Sequence, residues 1–427
     1  MAAGAARGLF TGRQAPTSKV GPRTYFVHRI QQHRRSILIT SIAASPDIWV
    51  LRTHAPGDND QSLALAEALG APFATIAVDW PAGDPDADRA ALRDFLAKSD
   101  AAAARRAAAG LRAPWPRQVI CCGRRADRIG FWIKRQSGGR TKVVSIGRAH
   151  QPVASYDLLA ATPQFVMPAR SNVVHLSLPL GRRRADTDGG SRNAPPLARM
   201  GGNMVPVPKP WFTILLGGEA KEYVIAPETL ERTARAAQEA ADRHGGTVVV
   251  STSRRTSPEM LAIVERALTR PHVYRWSALS RAENPYEMLL QQSAALFVTA
   301  DSASMVLDAC QSGTPTYVVE YPARMDLRRR LRRELYQAIR TAVSRFRRWG
   351  LSRAAHWLDH AQERLHAAGL LRYPRDLTRL HASIFDLNLA RRMIEFDPAR
   401  LPARAQIAND FSELSGLSRL AARCRAL

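Results

Sequence analysis

Short, largely apolar runs alternate with helical segments twice along this sequence, and this double series constrains the fold more than any other feature. Runs such as QVICC (118–122) and WFTILL (211–216) show little polar alternation, which is typical of parallel strands that are covered on both faces. Repeated strand–helix units predict a doubly wound, mostly parallel sheet. Because the series restarts at residue 211, we expect an α/β protein with two Rossmann-like domains that face a cleft.

The predicted elements follow one another in short steps. In the first series, we predict strands at 47–52, 73–78, 118–122, 142–146, 157–160 and 173–176, and helices at 61–69, 87–111 and 124–136. In the second series, we predict strands at 211–216, 247–251, 272–276, 295–299 and 315–320, and helices at 226–244, 258–268, 285–292 and 302–312.

The stretches around the two series divide the chain into five parts. Residues 1–46 carry seven Lys or Arg and no Asp or Glu, which fits a transit peptide, a wrongly assigned start or a disordered arm equally well. Residues 181–210 are rich in Gly, Pro and Arg and predict a linker between the domains at 47–180 and 211–325. Residues 326–427 are predicted to form an Arg-rich helical extension.

The net charge of +25 is concentrated at the two ends, since residues 321–427 hold 22 Arg and ten acidic residues. The segment VSRFRRWGLSRAAHWL (343–358) either lies on anionic lipid or is a solvated helix whose Arg stems pack on the domains. No Cys/His finger, RNP-like strand or basic region with heptads occurs, so we expect no specific nucleic-acid partner, with charge-driven binding as a weaker alternative. No apolar run is long enough for a transmembrane segment. We expect a cytoplasmic protein, with peripheral contact at the inner face of the membrane as an alternative.

The cysteines and histidines predict neither a disulfide framework nor a metal site. The four cysteines form no CxxC pair, and two of them, Cys121 and Cys122, lie in a predicted buried strand, so we expect reduced thiols. The eleven His are scattered without a HExxH motif, which predicts no metal and no bound cofactor. The sequence also lacks GxSxG and a Walker loop. GxGxxG does not follow the first strand either, which argues against a dehydrogenase or a classical epimerase.

The sharpest candidate site is TADSASMVLDACQSGTP (299–315), where a helix follows a buried strand. Asp301 or Ser302 can cap this helix. The unpaired amides at its start, with the hydroxyls of Ser302 and Ser304, would suit a diphosphate. Asp308 lies at i+4 from Ser304 on the same face and could accept hydrogen bonds from two ribose hydroxyls. The alternative is an ordinary N-cap followed by an incidental acid.

Two further loops of the second series follow predicted strands. Gly217 and Gly218 would let the backbone approach a phosphate closely, although a tight turn needs glycine as well. The segment STSRRTSP begins at Ser251, and its Arg254 and Arg255 could clamp phosphate oxygens with forked donors. The alternative for this segment is a solvated charged loop.

In the first series, the loop HAPGDNDQ (54–61) occupies the corresponding position. His54, Asp58 and Asp60 are candidate general bases, and we select His54 and Asp58 as catalytic residues. The alternative is that Asp60 caps the helix while Gly57 makes the turn. The segment GRR (123–125) ends another strand and could bind an anionic acceptor.

Taken together, these segments resemble the ELM1-like family, the mitochondrial fission ELM1 / GtrOC1 group. The resemblance covers residues 47–320 and rests on the following motifs: GDNDQ (57–61) before LALAEALG, CCGRRA (121–126), IKRQSGG (133–139), LLGG (215–218), STSRRTSP (251–258), NPY (284–286) and TADSASMVLDA (299–309).

This resemblance implies a GT-B design in which the second domain holds the nucleotide diphosphate and no metal is needed. It implies the same diphosphate role for Ser302 and Ser304 and a ribose role for Asp308, where many GT-B proteins have Glu. The function it implies is transfer of a sugar from a nucleotide-diphosphate sugar to an envelope or lipid-linked acceptor. The alternative is a catalytically inactive GT-B-shaped membrane adaptor that recruits fission machinery.

Overall fold

Two parallel six-stranded sheets form the framework of this computed structural model. The structure describes residues 47–78, 111–181, 197–200, 203–218, 223–224, 226–276, 284–322, 324, 327–367, 373–403 and 411–427. These residues all lie in one compact unit of the chain. The predicted arm at 1–46 and the predicted helix at 87–111, apart from Leu111, lie outside the described residues.

The first sheet has the strand order β2-β1-β3-β4-β5-β6 and belongs to the N-terminal domain. Its strands and helices are β1 (Ile48–Arg52), α1 (Pro56–Leu69), β2 (Phe73–Ala77), β3 (Gln118–Cys122), α2 (Arg124–Gln136), β4 (Lys142–Ile146), a 3-10 turn (Val153–Ser155), β5 (Leu158–Ala161) and β6 (Val173–His175). All five residues of β3 are buried, because α1 and α2 each contact this strand.

The second sheet repeats this design after a short antiparallel hairpin, β7 (Leu197–Met200) and β8 (Asn203–Pro206), which lies within the predicted linker. Its elements are β9 (Trp211–Leu216), α3 (Pro227–His244), β10 (Thr247–Thr252), α4 (Pro258–Arg266), β11 (His272–Tyr274), α5 (Tyr286–Gln292), β12 (Ala295–Thr299), α6 (Ala303–Gln311) and β13 (Thr316–Val319). Every residue of β9 and β12 is buried. The predicted GT-B-like α/β class is therefore confirmed.

The C-terminal residues form a helical extension that packs on both domains. They form α7 (Leu327–Arg348), α8 (Ser352–Ala367), α9 (Leu377–Asp386), β14 (Arg391–Arg392), a 3-10 turn (Met393–Glu395), α10 (Phe411–Ser415) and α11 (Leu417–Arg425). Strand β14 pairs with β13, which gives the second sheet the order β11-β10-β9-β12-β13-β14.

The last helix returns to the N-terminal domain. Leu420 and Cys424 of α11 are buried in the core that α1 and the first sheet share. The Gln118 side chain donates a hydrogen bond to the Cys424 carbonyl at 2.7 Å, and the Arg425 guanidinium donates to the Ala68 carbonyl near the end of α1 at 2.6 Å. The Arg-rich helical extension predicted at 326–427 therefore packs on both domains in the part that the structure describes, because its apolar side chains join their cores.

The start of α1 also differs from the prediction. The helix begins at Pro56 and not at residue 61, because proline fits the first helical position, where no backbone N–H is needed. Ala55 is its N-cap residue, so the alternative that Asp60 caps this helix is wrong. Gly57, Asp58 and Asp60 lie in the first helical turns instead of in a loop.

Each sheet reverses its strand order next to its first strand. In the first sheet, β1 lies between β2 and β3, and in the second sheet β9 lies between β10 and β12. Open α/β sheets bind ligands at this switch point, beyond the carboxyl ends of the strands. This places the loops after β1, β3, β9 and β12 where a ligand is expected.

Two further observations concern the class of protein. None of the described helices is long and apolar enough to cross a membrane. All four cysteines are unpaired and buried, as predicted for Cys121 and Cys122 in β3.

Candidate functional site

A cleft of about 690 Å³ lies between the two sheets, and residues of both domains line it. This volume is within the range of small-molecule sites in proteins. Of the predicted site residues, Asp58, Ser251, Arg254, Asp301, Ser302, Ser304 and Asp308 line the cleft. His54, Gly217 and Gly218 do not belong to this lining.

The start of α6 faces the cleft without a side-chain cap. Ser302 is the N-cap residue, but its hydroxyl lies 3.5 Å from the Ser304 hydroxyl and makes no capping hydrogen bond. Ser302 therefore occupies the predicted N-cap position, but its side chain does not provide a capping hydrogen bond. The amides of the first turn keep their partial positive charge at the cleft.

Two helix starts of the N-terminal domain face the same space. Helix α1 begins after Ala55 and helix α2 begins after Gly123, and neither N-cap residue provides a capping side chain. Both residues line the cleft. Three partial positive charges, one from each helix start, therefore converge on one cavity.

Arginine side chains add full positive charges to this cavity. Four arginines line the cleft, namely Arg148, Arg254, Arg255 and Arg375. Together with the helix starts, they favour an anionic ligand with several oxygen atoms.

The glycine pair after β9 lies behind the cleft. The Gly217 amide donates to the Thr299 hydroxyl at 2.8 Å, and the Gly218 amide donates to the Asp301 carboxylate at 2.9 Å. A Cβ atom on Gly217 would overlap Asp301, and one on Gly218 would overlap the Arg255 backbone. These residues are glycines because the neighbouring loops approach closely, and their amides are already bound within the protein.

Asp301 connects this turn to the arginine loop. Its carboxylate is 1% exposed and forms an ion pair with Arg255 at 2.9 Å. Burial raises the pKa of Asp301, which the Gly218 amide and the Arg255 guanidinium oppose in part. Asp301 therefore holds Arg255 at the edge of the cleft.

Asp308 lies on the exposed side of α6 and points away from the apolar core. Its carboxylate accepts a hydrogen bond from the Tyr286 hydroxyl at 3.1 Å, and both residues line the cleft. Asp308 and Ser304 therefore share the helix face that the sequence predicted.

An exposed tryptophan lies at the end of β11, beside the predicted arginine loop. The exposed fraction of Trp276 is 48%, and the Arg254 guanidinium lies 5.8 Å from the centroid of its ring. The backbone amide of Trp276 donates to the Thr252 hydroxyl, next to the predicted Ser251. An aromatic ring in a polar cleft offers a flat surface on which a base can stack.

On the opposite wall, Asp58 lies against the start of α2. A Cβ atom on Gly123 would come within 2.8 Å of the Asp58 carboxylate, and Gly123 has a φ of 84°, which favours glycine. Burial raises the pKa of Asp58, while the Cys122 thiol and the nearby His150 and Arg375 lower it in part. Asp58 is therefore a partly buried carboxyl group that lines the cleft.

A histidine that the sequence interpretation missed lines the same wall. His150 Nδ1 lies 3.0 Å from the carboxylate of Asp127, which is completely buried. Tyr156 and Ser145 donate their hydroxyl hydrogens to the same carboxylate. Because Nδ1 faces Asp127, Nε2 is the ring nitrogen left for a ligand in the cleft. The signal was a histidine shortly after the carboxyl end of β4.

His54, the other predicted catalytic residue, is exposed outside the cleft lining. Its ring nitrogens lie 3.0 Å from the Arg125 guanidinium. Arg124 and Arg125 also lie outside the lining, whereas Asp60 belongs to it. His54 follows β1 in sequence, but the early start of α1 brings Asp58 and not His54 into the cleft.

Arg375 reaches the cleft from the C-terminal part of the chain. It forms a β-bridge with Phe165, and the amide of Asp376 donates to the Gln164 carbonyl at 2.7 Å. Phe165 and Gln164 both line the cleft. The segment around Arg375 therefore forms part of the wall of the N-terminal domain.

Among the residues that the structure describes, no three His, Cys, Asp or Glu side chains are grouped so that they could hold a metal ion.

Comparison with known proteins identifies the family. The family model described as mitochondrial fission ELM1 matches residues 56–368, most of this chain and nearly all of the cleft. The chain belongs to the mitochondrial fission ELM1 family. The mitochondrial fission protein ELM1 of Arabidopsis thaliana is 36% identical over 75 residues, and the match spans 17% of this chain and 17% of that protein.

Solved structures resemble the chain at low identity. MurG of Acinetobacter baumannii has a TM-score of 0.36 and 14% identity, with 89% of this chain and 95% of that chain covered. The UDP-GlcNAc 2-epimerase of Methanocaldococcus jannaschii, solved with UDP-GlcNAc and UDP, has a TM-score of 0.36 and 9% identity, with 64% and 83% covered.

Proposed function

We propose that this ELM1-family protein is a glycosyltransferase that takes a sugar from a nucleotide-diphosphate sugar. The observation that carries the proposal is the convergence of three helix starts without side-chain caps and four arginines on one cleft. Two linked phosphates carry the charge and the acceptor oxygens that this arrangement favours.

The nucleotide would bind mainly to the C-terminal domain. The diphosphate would lie at the start of α6, against Ser302 and Ser304, with Arg254 beside it. The ribose would hydrogen-bond to Asp308, and the base would stack on Trp276. Gly217 and Gly218 would support the site from behind by fixing Asp301 and Thr299.

The N-terminal domain would hold the acceptor and the catalytic base. We assign the base to His150, because Asp127 holds its Nδ1 and stabilises the positive charge that the ring acquires on accepting a proton. Asp58 would then orient the acceptor hydroxyl. This role for Asp58 follows from its position in the cleft.

In the proposed step, the acceptor oxygen forms a bond to the anomeric carbon of the sugar. The bond from that carbon to the diphosphate oxygen breaks, and the hydroxyl proton moves to His150 Nε2. The nucleoside diphosphate leaves with the electron pair, and the helix starts and arginines stabilise its added charge. An envelope or lipid-linked acceptor is part of this proposal.

Calorimetric titration with UDP, GDP, ADP and CMP tests the nucleotide site. We expect one of the diphosphates to bind, and we expect Ser304→Ala combined with Asp308→Ala to weaken that binding at least tenfold, because hydrogen bonds to both ligand parts are lost. The matched control is Ser312→Ala with Asp386→Ala, which removes the same groups outside the cleft. If the wild-type protein binds none of the three diphosphates, the proposal is wrong.

A second candidate is an adaptor that recruits fission machinery without catalytic turnover; the Arabidopsis thaliana relative is named a mitochondrial fission protein. The observation that favours it is the pair of exposed tryptophans, Trp349 and Trp357, outside the cleft. An adaptor would keep its function in cells when Ser304 and Asp308 are both replaced by alanine. A glycosyltransferase would lose it.

A further inference from the structure

The helical hairpin of α7 and α8 exposes large apolar side chains at its turn. Trp349 and Leu351 lie in the turn, and Trp357 lies in the second turn of α8. The exposed fractions of the two tryptophans are 66% and 68%, and that of Leu351 is 50%. We call residues 344–357 the hairpin tip. Large apolar side chains that are exposed this close together mark a surface that a partner covers.

The hairpin tip carries only positive formal charge. No Asp or Glu occurs between Glu334 and Asp359. The tip contains four exposed arginines, namely Arg345, Arg347, Arg348 and Arg353. Arg347 pairs with Asp359 at 2.6 Å, and the other three have no acidic partner among the described residues. The partner surface is therefore expected to be anionic.

The root of the hairpin, in contrast, packs on the N-terminal domain. The buried Tyr336 donates its hydroxyl hydrogen to the Val166 carbonyl at 2.8 Å, and Arg340 donates to the Met167 carbonyl at 2.7 Å. Arg170 pairs with Glu363 on α8 at 2.8 Å. These polar contacts hold the root on the domain, but they do not involve the exposed groups at the tip.

We propose that the hairpin tip docks on an anionic bilayer. Tryptophan favours the headgroup region, where one part of its ring system meets apolar chains and its N–H meets water. Each arginine near an anionic surface strengthens binding about fivefold. A stable protein partner would need about 1,000 Å² of matched surface, which a narrow turn does not offer, whereas lipid headgroups adapt to it.

This docking would bring the acceptor side of the cleft towards the membrane. Val166, which anchors Tyr336, is the neighbour of Phe165 in the cleft lining. From Tyr336 to Arg348, α7 spans about 18 Å. The inference concerns a surface outside the cleft and stands independently of the proposed nucleotide site.

Sedimentation of the full chain with lipid vesicles tests this inference. We expect binding to vesicles of phosphatidylcholine mixed with phosphatidylglycerol, and at least tenfold weaker binding to phosphatidylcholine alone. Trp349→Ser with Trp357→Ser, and separately Arg345→Glu with Arg348→Glu, should each weaken binding to the mixed vesicles at least tenfold. Circular dichroism should show unchanged thermal unfolding, since these side chains are exposed.

The matched control is Ile394→Ser with Arg400→Glu, which removes an exposed apolar group and an exposed charge elsewhere and should leave vesicle binding within twofold. Equal loss in this control would mean that overall charge drives binding, and the proposal would be wrong. The proposal would also be wrong if the wild-type protein did not bind the mixed vesicles. A third contradicting result would be a tryptophan variant that converts a dimer to a monomer while its vesicle binding stays unchanged. Nucleotide affinity in solution should be the same in all these variants, so failure here leaves the nucleotide proposal untouched.

Discussion

Gly57 at the start of α1 and Ser304 at the start of α6 face each other across the cleft. A Cβ atom on Gly57 would meet Ser304 Cβ at 3.2 Å. The two domains therefore approach each other closely where two helix dipoles point at the same space. A ligand held by both helix starts would be sensitive to any side chain added at this contact.

Replacing Gly57 tests that contact. Gly57→Leu should weaken nucleoside diphosphate binding at least tenfold, because its side chain would occupy the gap between the helix starts, and Gly57→Ala should give a smaller loss. Helix propensity alone favours both changes by up to about 1 kcal/mol, so urea unfolding should show no large loss of stability. Unchanged calorimetric affinity in the leucine variant would mean that the two helix starts do not share the ligand.

Trp276 should contribute to base binding but not to diphosphate binding. Trp276→Leu should weaken binding of the preferred nucleoside diphosphate about tenfold, because stacking on an aromatic ring contributes about 1–3 kcal/mol. Binding of inorganic pyrophosphate should stay within twofold, and calorimetry measures both. Trp349→Leu provides the control, since it changes an exposed tryptophan outside the cleft. Equal losses for both ligands would contradict the assignment of Trp276 to the base.

Asp127→Asn should reduce turnover without reducing nucleotide affinity. The amide cannot stabilise a positively charged His150, so we expect kcat to fall at least a hundredfold while the affinity for the nucleotide changes less than threefold. The readout that separates this role from a structural one is the pH profile of kcat, whose acidic limb should shift in the variant. Donor hydrolysis or transfer assays measure it, and a profile identical to the wild type would rule out His150 as the base.

His381 should make the protein less stable in acid. Its ring stacks on Tyr223, and burial lowers the pKa of His381 from 6.5 to about 4. The folded state therefore binds fewer protons than the unfolded state, so the free energy of unfolding should fall by about 3 kcal/mol as the pH drops from 6.5 to 4.

Urea unfolding at several pH values measures this loss. His381→Phe should remove it, whereas His360→Phe, at an exposed position, should retain it. If the two variants lose stability equally on acidification, His381 is not the group responsible.

The strands of both sheets could be predicted from the sequence, because strands that are buried on both faces appear as short apolar runs between helical segments. Ser304 and Asp308 were placed on one cleft-facing surface because helical spacing alone determines that relationship. The error at α1 came from reading Gly57 as a turn, although Pro56 before it is a helix-start signal.

Other parts of the site could not be predicted from a local pattern. Arg375 reaches the cleft only because a distant segment forms a bridge with Phe165. Asp127 and His150 lie on different elements, and only the packing of α2 on β4 brings them together. Gly217 and Gly218 are the opposite case. Their position after a strand could be recognised from the sequence, but the close approach of neighbouring protein loops is the reason that glycine is needed there.

The return of α11 to the first domain has a consequence for biosynthesis. Leu420 and Cys424 belong to the core beneath α1, yet they are translated after the whole second domain. The domain that is translated first therefore cannot bury its full apolar surface until α11 has been translated as well. While the second domain is being synthesised, part of the apolar surface of the first sheet therefore stays exposed. A chaperone that covers this surface would protect the nascent chain from aggregation.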